Sequence, residues 1–207
     1  IIVLNVYNER LLRLLAETQI PKVVLDTSSL VAPDELNGDL LLMESRTSVR
    51  RITSHLLEQG RTLPGFIGDI SYAQSNRERY EGFCQALTDA GKKVDSSLCL
   101  TTPLGIDTYR EEIDTFLSSL SRMPDAFVCA SDYVACILMQ LLEKRGLRVP
   151  EDVAVSGFDN NTEDLLAEHL TTVQVFNEEL GARLALQILY RIKYPNTPHE
   201  VTYLSLI

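Results

Sequence analysis

Three polar residues stand where apolar runs break off. Asp26 follows Val23-Val24-Leu25, Ser131 follows Phe127-Val128-Cys129-Ala130, and Asp159 follows Ala154-Val155-Ser156-Gly157-Phe158. If those runs are strands of an open parallel sheet, all three lie beyond carboxyl ends, where loops and helix N-termini converge on small ligands. Sugar hydroxyls both donate and accept hydrogen bonds. An ionised carboxylate can accept from two of them while a guanidinium donates to two others, which fixes a pose. Arg79, within Arg77-Glu78-Arg79-Tyr80-Glu81, supplies such a guanidinium, and Ser75, just ahead of it, can reach a hydroxyl. Plainer readings stand beside these. Asp26 can open a turn over Asp26-Thr27-Ser28-Ser29, and Asp159 can cap a helix beginning near Thr162. Arg79 can be a solvated helix-surface residue, and Ser75 a helix N-cap.

Catalytic chemistry finds little to rest on. The chain has no G-x-G-x-x-G turn, no Walker loop and no G-x-S-x-G elbow. Its three histidines, His55, His169 and His199, are far apart and share no metal-ligand spacing. The four cysteines, Cys84, Cys99, Cys129 and Cys136, sit scattered in apolar runs without C-x-x-C spacing and read as reduced core residues. No catalytic residue, metal or cofactor is expected.

The elements that must position the polar residues follow from hydropathy. Short apolar or β-branched runs alternate with stretches of helical period, which indicates an α/β fold of βαβ units building parallel sheets. Strands are predicted at 1–6, 22–26, 38–43, 63–68, 94–100, 125–129, 153–157 and 171–175, with a last one near 200–205. Between them, Val134, Ile137, Leu138, Leu141 and Leu142 line one face of a helix over 132–145. Gly146 follows it as the C′ residue, with Lys144 and Arg145 complementing the dipole. Tyr80, Phe83, Leu87 and Ala90 form a second stripe, and Leu180, Leu184 and Ile188 a third. Pro21, Pro124 and Pro150 mark helix-to-strand transitions.

At 207 residues and 45% hydrophobic content the chain can bury a sizeable core. Its 19 basic and 29 acidic residues leave a formal charge of -10, which repels phosphate backbones. By itself the chain is not expected to grip DNA. No apolar run approaches the ~18 residues of a membrane span, and a cytoplasmic location fits best. Ile1-Ile2-Val3-Leu4 opens without methionine and reads as the middle of a buried strand, so chain upstream is expected.

Two ordered stretches carry a family resemblance. The first is Pro124-Asp125-Ala126-Phe127-Val128-Cys129-Ala130-Ser131-Asp132. The second, after the helix, is Arg145-Gly146-Leu147-Arg148-Val149-Pro150-Glu151-Asp152-Val153-Ala154-Val155-Ser156-Gly157-Phe158-Asp159. Gly65-Phe66-Ile67-Gly68, Arg77 to Phe83, and Leu170-Thr171-Thr172-Val173 leading to Glu179-Leu180-Gly181 fit in the same order. The sequence thereby resembles the ligand-sensing region of LacI/GalR (lactose-repressor/galactose-repressor) transcriptional regulators, which is similar to periplasmic sugar-binding proteins.

The resemblance implies two doubly wound parallel-sheet lobes of periplasmic-binding-protein-like type I architecture, with a ligand cleft between them. Residues 44–174 would form the C-terminal lobe. Residues 1–43 and about 175–196 would supply an incomplete N-terminal lobe, and 197–207 a terminal strand returning to the C-terminal lobe. The helix-turn-helix headpiece would lie outside this chain. By the same resemblance Arg79 is the ligand-clamping arginine, Asp159 the sugar-binding aspartate, and Asp26 a cleft aspartate. Three positions depart from the family pattern. Ser131 stands where asparagine is usual, Val175 where the crossover commonly carries a polar residue, and Glu44-Ser45 where Asp-Asn is frequent. A cleft with fewer hydroxyl-binding groups on one side follows, and with it an unusual ligand.

The implied function is an allosteric sensor of a sugar or related small molecule, acting in a homodimeric repressor that reaches operator DNA only through its headpiece. Exposed apolar residues of the 50–59 and 79–91 helices are candidates for the dimer contact. A periplasmic sugar-binding protein of a transport system is the alternative, and an α/β enzyme a third class.

Overall fold

The computed structural model describes residues 1–105, 107–160 and 170–205. In chain order the elements are β1 (Ile2–Leu4), α1 (Glu9–Glu17), β2 (Val23–Leu25), β3 (Asp39–Met43), α2 (Arg46–Glu58), β4 (Pro64–Ile67) and α3 (Gln74–Asp89). They continue as β5 (Cys99–Leu100), α4 (Tyr109–Ser119), β6 (Ala126–Cys129), α5 (Asp132–Lys144), β7 (Ala154–Ser156), α6 (Asn177–Lys193) and β8 (Val201–Leu204). The chain divides into two compact units. The first comprises Ile1–Glu44, Ser71–Arg77 and Phe176–Ile207, and the second Ser45–Ile70 and Glu78–Val175.

The first unit is built on a four-stranded parallel sheet in the order β1-β2-β3-β8. Its core gathers Val3, Leu12, Val24, Val31, Leu36, Leu40 and Leu42. In β1 only Val3 is buried, while Ile2 and Leu4 are exposed, so the alternation there is that of a half-covered strand. Helix α1 starts on Asn8, whose side chain accepts from Leu11 N–H, which satisfies one of the orphan donors of the first turn.

The terminal strand corrects the expected domain map. β8 pairs with β3 in the first unit, Leu40 opposite Val201 through Met43 opposite Leu204, and does not return to the lobe containing 44–174. The cause is a buried ion pair. Arg191 of α6 grips Asp39 at the start of β3 and also donates to the Thr197 and Pro198 carbonyls, which draws the chain after α6 down beside β3. The 71–77 segment also belongs to the first unit, because Gln74 N–H donates to Thr27 O at 2.8 Å and Ser29 Oγ to Ser71 O at 3.0 Å.

The second unit repeats the plan with parallel order β5-β4-β6-β7. The predicted stripe of α5 is buried in full against Ile67, Phe127, Cys129 and Val155. Burial on all sides explains why β4 and β6 read as unbroken apolar runs. Phe83 and Leu87 of α3 are buried too and Tyr80 is partly covered, whereas Ala90 lies past the helix end and is exposed. Close packing of α3 on α2 needs Gly82, since a Cβ there would meet the Arg46 carbonyl oxygen at 2.2 Å.

Three further expectations change. The run 171–175 forms no continuous strand but two isolated parallel bridges, Ser156 with Thr171 and Asp159 with Gln174. Positive φ at Asp159 (111°) and Asn160 (50°) breaks the extended geometry that a longer ladder would need. Among the described residues the exposed large apolar side chains lie on or beside α1, β1, α6 and β8 and at Ile20, Leu30, Tyr72 and Tyr133, and none of them is on α2 or α3. Cys129 and Cys136 are buried as expected, but Cys84 and Cys99 are only partly covered; none of the four is in a disulfide.

Candidate functional site

In the second unit the turn after β7 and the start of α5 assemble one polar cluster. Arg79 reaches it from α3 with only 4% of its surface exposed. Its guanidinium lies 3.6 Å from the centroid of the buried Phe158 ring and donates to the Ala130 carbonyl. Asp159 Oδ1 stands 3.8 Å from Arg79, an ion-pair distance too long for a direct hydrogen bond. The solvated helix-surface reading of Arg79 therefore fails: a planar cation is held between an aromatic face, a carbonyl and a carboxylate.

Asp159 keeps 42% of its side-chain surface, yet loss of hydration still dominates its titration. Burial pushes its carboxyl up to about 6, Arg79 opposes the rise, and the neighbouring Asp132 carboxylate adds to it. The group thus changes charge close to neutrality. A helix starting near Thr162 for it to cap falls outside the described residues.

Ser131 is the N-cap of α5, its Oγ accepting from Val134 N–H at 3.3 Å. Asp132, which the sequence reading passed over, is almost fully buried. Its N–H donates to Phe158 O at 2.8 Å and its Oδ1 accepts from Thr172 Oγ at 2.6 Å, which ties α5 to both edges of the turn. Gly157 is required there, because a Cβ would come within 2.1 Å of Asp132 Oδ1. A carboxylate at the first position of a helix following a strand was the available signal for Asp132.

The Val175 side chain is buried, at 5% exposure. The polar group of this crossover is one residue earlier: Gln174 is exposed, accepts from Asn160 Nδ2 and donates to the Val175 carbonyl at 2.8 Å.

The first unit carries its own cluster beyond β1 and β2. Asp26, at φ 58°, accepts from Thr27 N–H at 2.8 Å, Ser75 Oγ at 2.6 Å and Ser75 N–H at 3.3 Å. The structure thus joins Asp26 to Ser75, and Arg77 donates to Ser29 Oγ at 3.1 Å beside them. Both Asp26 and Ser75 are buried. Tyr7 and Tyr72, unmarked by any sequence signal, pair here with ring centroids 4.4 Å apart.

Among the described residues no group of three or more His, Cys, Asp or Glu side chains is placed to hold a metal ion. No helix among them is long and apolar enough to cross a membrane.

A profile of the periplasmic binding protein-like domain matches residues 53–207. The chain belongs to that family. Its relatives include the HTH-type transcriptional repressor PurR of Actinobacillus pleuropneumoniae, 30% identical over 195 residues, covering 94% of this chain and 56% of that protein. The HTH-type transcriptional regulator DegA of Bacillus subtilis is 31% identical over 170 residues, covering 81% of this chain and 48% of DegA. The chain therefore spans about half the length of these relatives. Among solved structures, the transcriptional regulator CelR in complex with cellobiose superposes with a TM-score of 0.81 at 26% identity, covering 99% of this chain and 62% of CelR. A LacI-family transcriptional regulator from Sanguibacter keddieii gives 0.72 at 27% identity, covering 92% of this chain and 70% of that one. The likeness to LacI-type regulators read from the Arg145–Asp159 motif thus holds in sequence relatives and in fold.

Proposed function

We propose that this chain is the effector-sensing region of a LacI-type transcriptional repressor, and that its effector is a sugar or a close chemical relative. The observation that carries the reading is the Arg79–Phe158–Asp159 arrangement: a buried guanidinium, pre-oriented by an aromatic ring, next to a carboxylate that changes charge near neutrality. Such a pair offers fixed donors and acceptors to a polyhydroxylated ligand. The cellobiose bound by CelR supports the sugar class, and the PurR and DegA relatives support regulation and not catalysis.

The proposed ligand-binding residues are Arg79 and Asp159, with Ser131 and Gln174 at the edge of that cluster and Asp26 and Ser75 in the first unit. The homodimer, the cytoplasmic setting and the reading of operator DNA through a headpiece outside this chain complete the proposal. With a formal charge of -10, the sensing region leaves DNA contact to that other part. Effector occupancy then changes operator affinity only by binding one conformational state more tightly than another.

Titration calorimetry of the full-length protein against neutral sugars, sugar phosphates and nucleobases tests this. One class should bind, Arg79→Ala should abolish that heat, and the same compound should shift operator affinity in a gel-shift assay. Absence of binding across the sugars and sugar phosphates would remove the reading.

A further inference from the structure

We infer that Tyr7 and Tyr72 form a stacking platform on which the first unit receives the C–H face of a neutral sugar ring; this rests on the sugar-sensor reading above. The two side chains come from separate pieces of chain that the fold brings to one end of one sheet. Leu4 of β1 is in register with Leu25 of β2, so the residues that follow, including Tyr7, emerge at the level of Asp26. Tyr72 lies in the 71–77 segment, which is fastened to the Asp26–Ser29 turn by Gln74 N–H to Thr27 O, Ser29 Oγ to Ser71 O and Ser75 Oγ to Asp26. The rings meet at 4.4 Å with 41° between their planes, and Tyr72 keeps 42% of its surface exposed.

A core aromatic would be covered, and a solitary surface tyrosine would not be braced by a second ring and a segment held by three hydrogen bonds. Here an exposed, pre-oriented aromatic surface adjoins a carboxylate–hydroxyl cluster. That combination matches the two chemistries of a pyranose. Its C–H bonds, weakly positive, settle on the negative face of an aromatic ring, and its hydroxyl rim reaches polar groups such as those of the Asp26–Ser75 pair. The Asp26 carboxylate and the Arg77 guanidinium beside it leave the cluster without the net positive charge that a sugar phosphate would call for, which suits a neutral sugar. Anchored tyrosines lose little freedom on binding, so the contact adds affinity at small entropic cost.

Calorimetry on the full-length protein with cellobiose, methyl β-glucoside, glucose 6-phosphate and hypoxanthine provides the test. A neutral sugar should bind the parent. Tyr72→Phe should keep its affinity within about twofold, while Tyr72→Ala and Tyr72→Leu should each weaken it about tenfold or more. The leucine variant retains apolar bulk and guards against a folding defect in the alanine one, with circular dichroism confirming both folds. If a neutral sugar binds and both truncated variants bind it like the parent, the platform is wrong while the sensor reading stands. Tyr72-dependent binding of hypoxanthine or of the phosphate alone overturns the neutral-sugar assignment. If none of the compounds binds the parent, the sensor reading fails and takes the platform with it.

Discussion

Arg191 and Asp39 meet through two parallel hydrogen bonds, Nε to Oδ2 at 3.0 Å and a terminal guanidinium nitrogen to Oδ1 at 2.5 Å, across 152 residues of sequence. Both side chains are almost wholly buried, with 3% and 1% of their surfaces exposed. Gln187 and the N–H of Glu200 complete the acceptor sites of the carboxylate at 2.9 and 3.0 Å. Burial pushes the Asp39 carboxyl up, but these hydrogen bonds from Arg191, Gln187 and Glu200 outweigh it and hold the group below its ordinary range.

Removing one partner leaves the other charged and dry. Arg191→Met and Asp39→Ala should each cost about 3–5 kcal/mol in urea unfolding. A depressed carboxylate stabilises the fold above its unfolded value of about 3.9 and ceases to do so as pH falls through the folded value. The parent should therefore lose stability on acidification more steeply than Asp39→Asn, a difference that thermal melts between pH 5 and 2.5 would register.

Arg79→Lys keeps a positive charge but gives up the flat group lying over Phe158 and the fork that reaches Ala130 and Asp159. A loss of about 1–2 kcal/mol in stability is expected. Effector affinity should fall in parallel, as calorimetry would show. Equal affinity in the lysine variant would mean that charge alone, without the planar geometry, suffices.

Asp159 gives the opposite pH dependence to Asp39. Its folded value, about 6, exceeds the unfolded one, so its favourable contribution is complete below the unfolded value and disappears as pH rises through 6. Asp159→Asn should gain stability relative to the parent on going from pH 5 to pH 7, measured as the difference in melting temperature. Half-exposure keeps that gain small. If the ionised carboxylate accepts effector hydroxyls, parent affinity should also fall from pH 7 to pH 5.

Ser156 is fully buried in β7, and its hydroxyl has no hydrogen-bond partner among the described residues. Ser156→Ala removes an unsatisfied polar atom without opening much space. It should be neutral or stabilising by up to about 1 kcal/mol in chemical denaturation.

Local pattern sufficed wherever local forces decide structure. The strands at 23–25, 39–43, 64–67, 126–129 and 154–156 fall inside runs visible as apolar sequence, and the buried stripe of α5 follows from its 3.6-residue period. The destination of β8 was not legible, because no short-range signal announces that Arg191 will seek Asp39 across the whole chain. Within the polar clusters, Arg79, Asp159, Asp26, Ser75 and Ser131 could be singled out as residues ending runs or matching a motif. The Asp26–Ser75 pairing could not, since the 71–77 segment crosses to the first unit through hydrogen bonds made with backbone. The directions of Val175 and Gln174 were legible from alternation alone, since Val173 and Val175 are buried with Gln174 exposed between them.

The pairing of β8 with β3 also sets an order of events at the ribosome. Nearly all of the second unit lies between residues 45 and 175, so its βα units can close on one another while later residues are still being added. The first unit cannot. Its sheet waits for residues 201–204, and the Asp39 carboxylate waits for Arg191, so an emerging chain carries β3 as an unfinished edge through most of its synthesis. Leu40, Leu41 and Leu42 lie on that edge, so their backbone groups on that side stay without strand partners until residues 201–204 arrive.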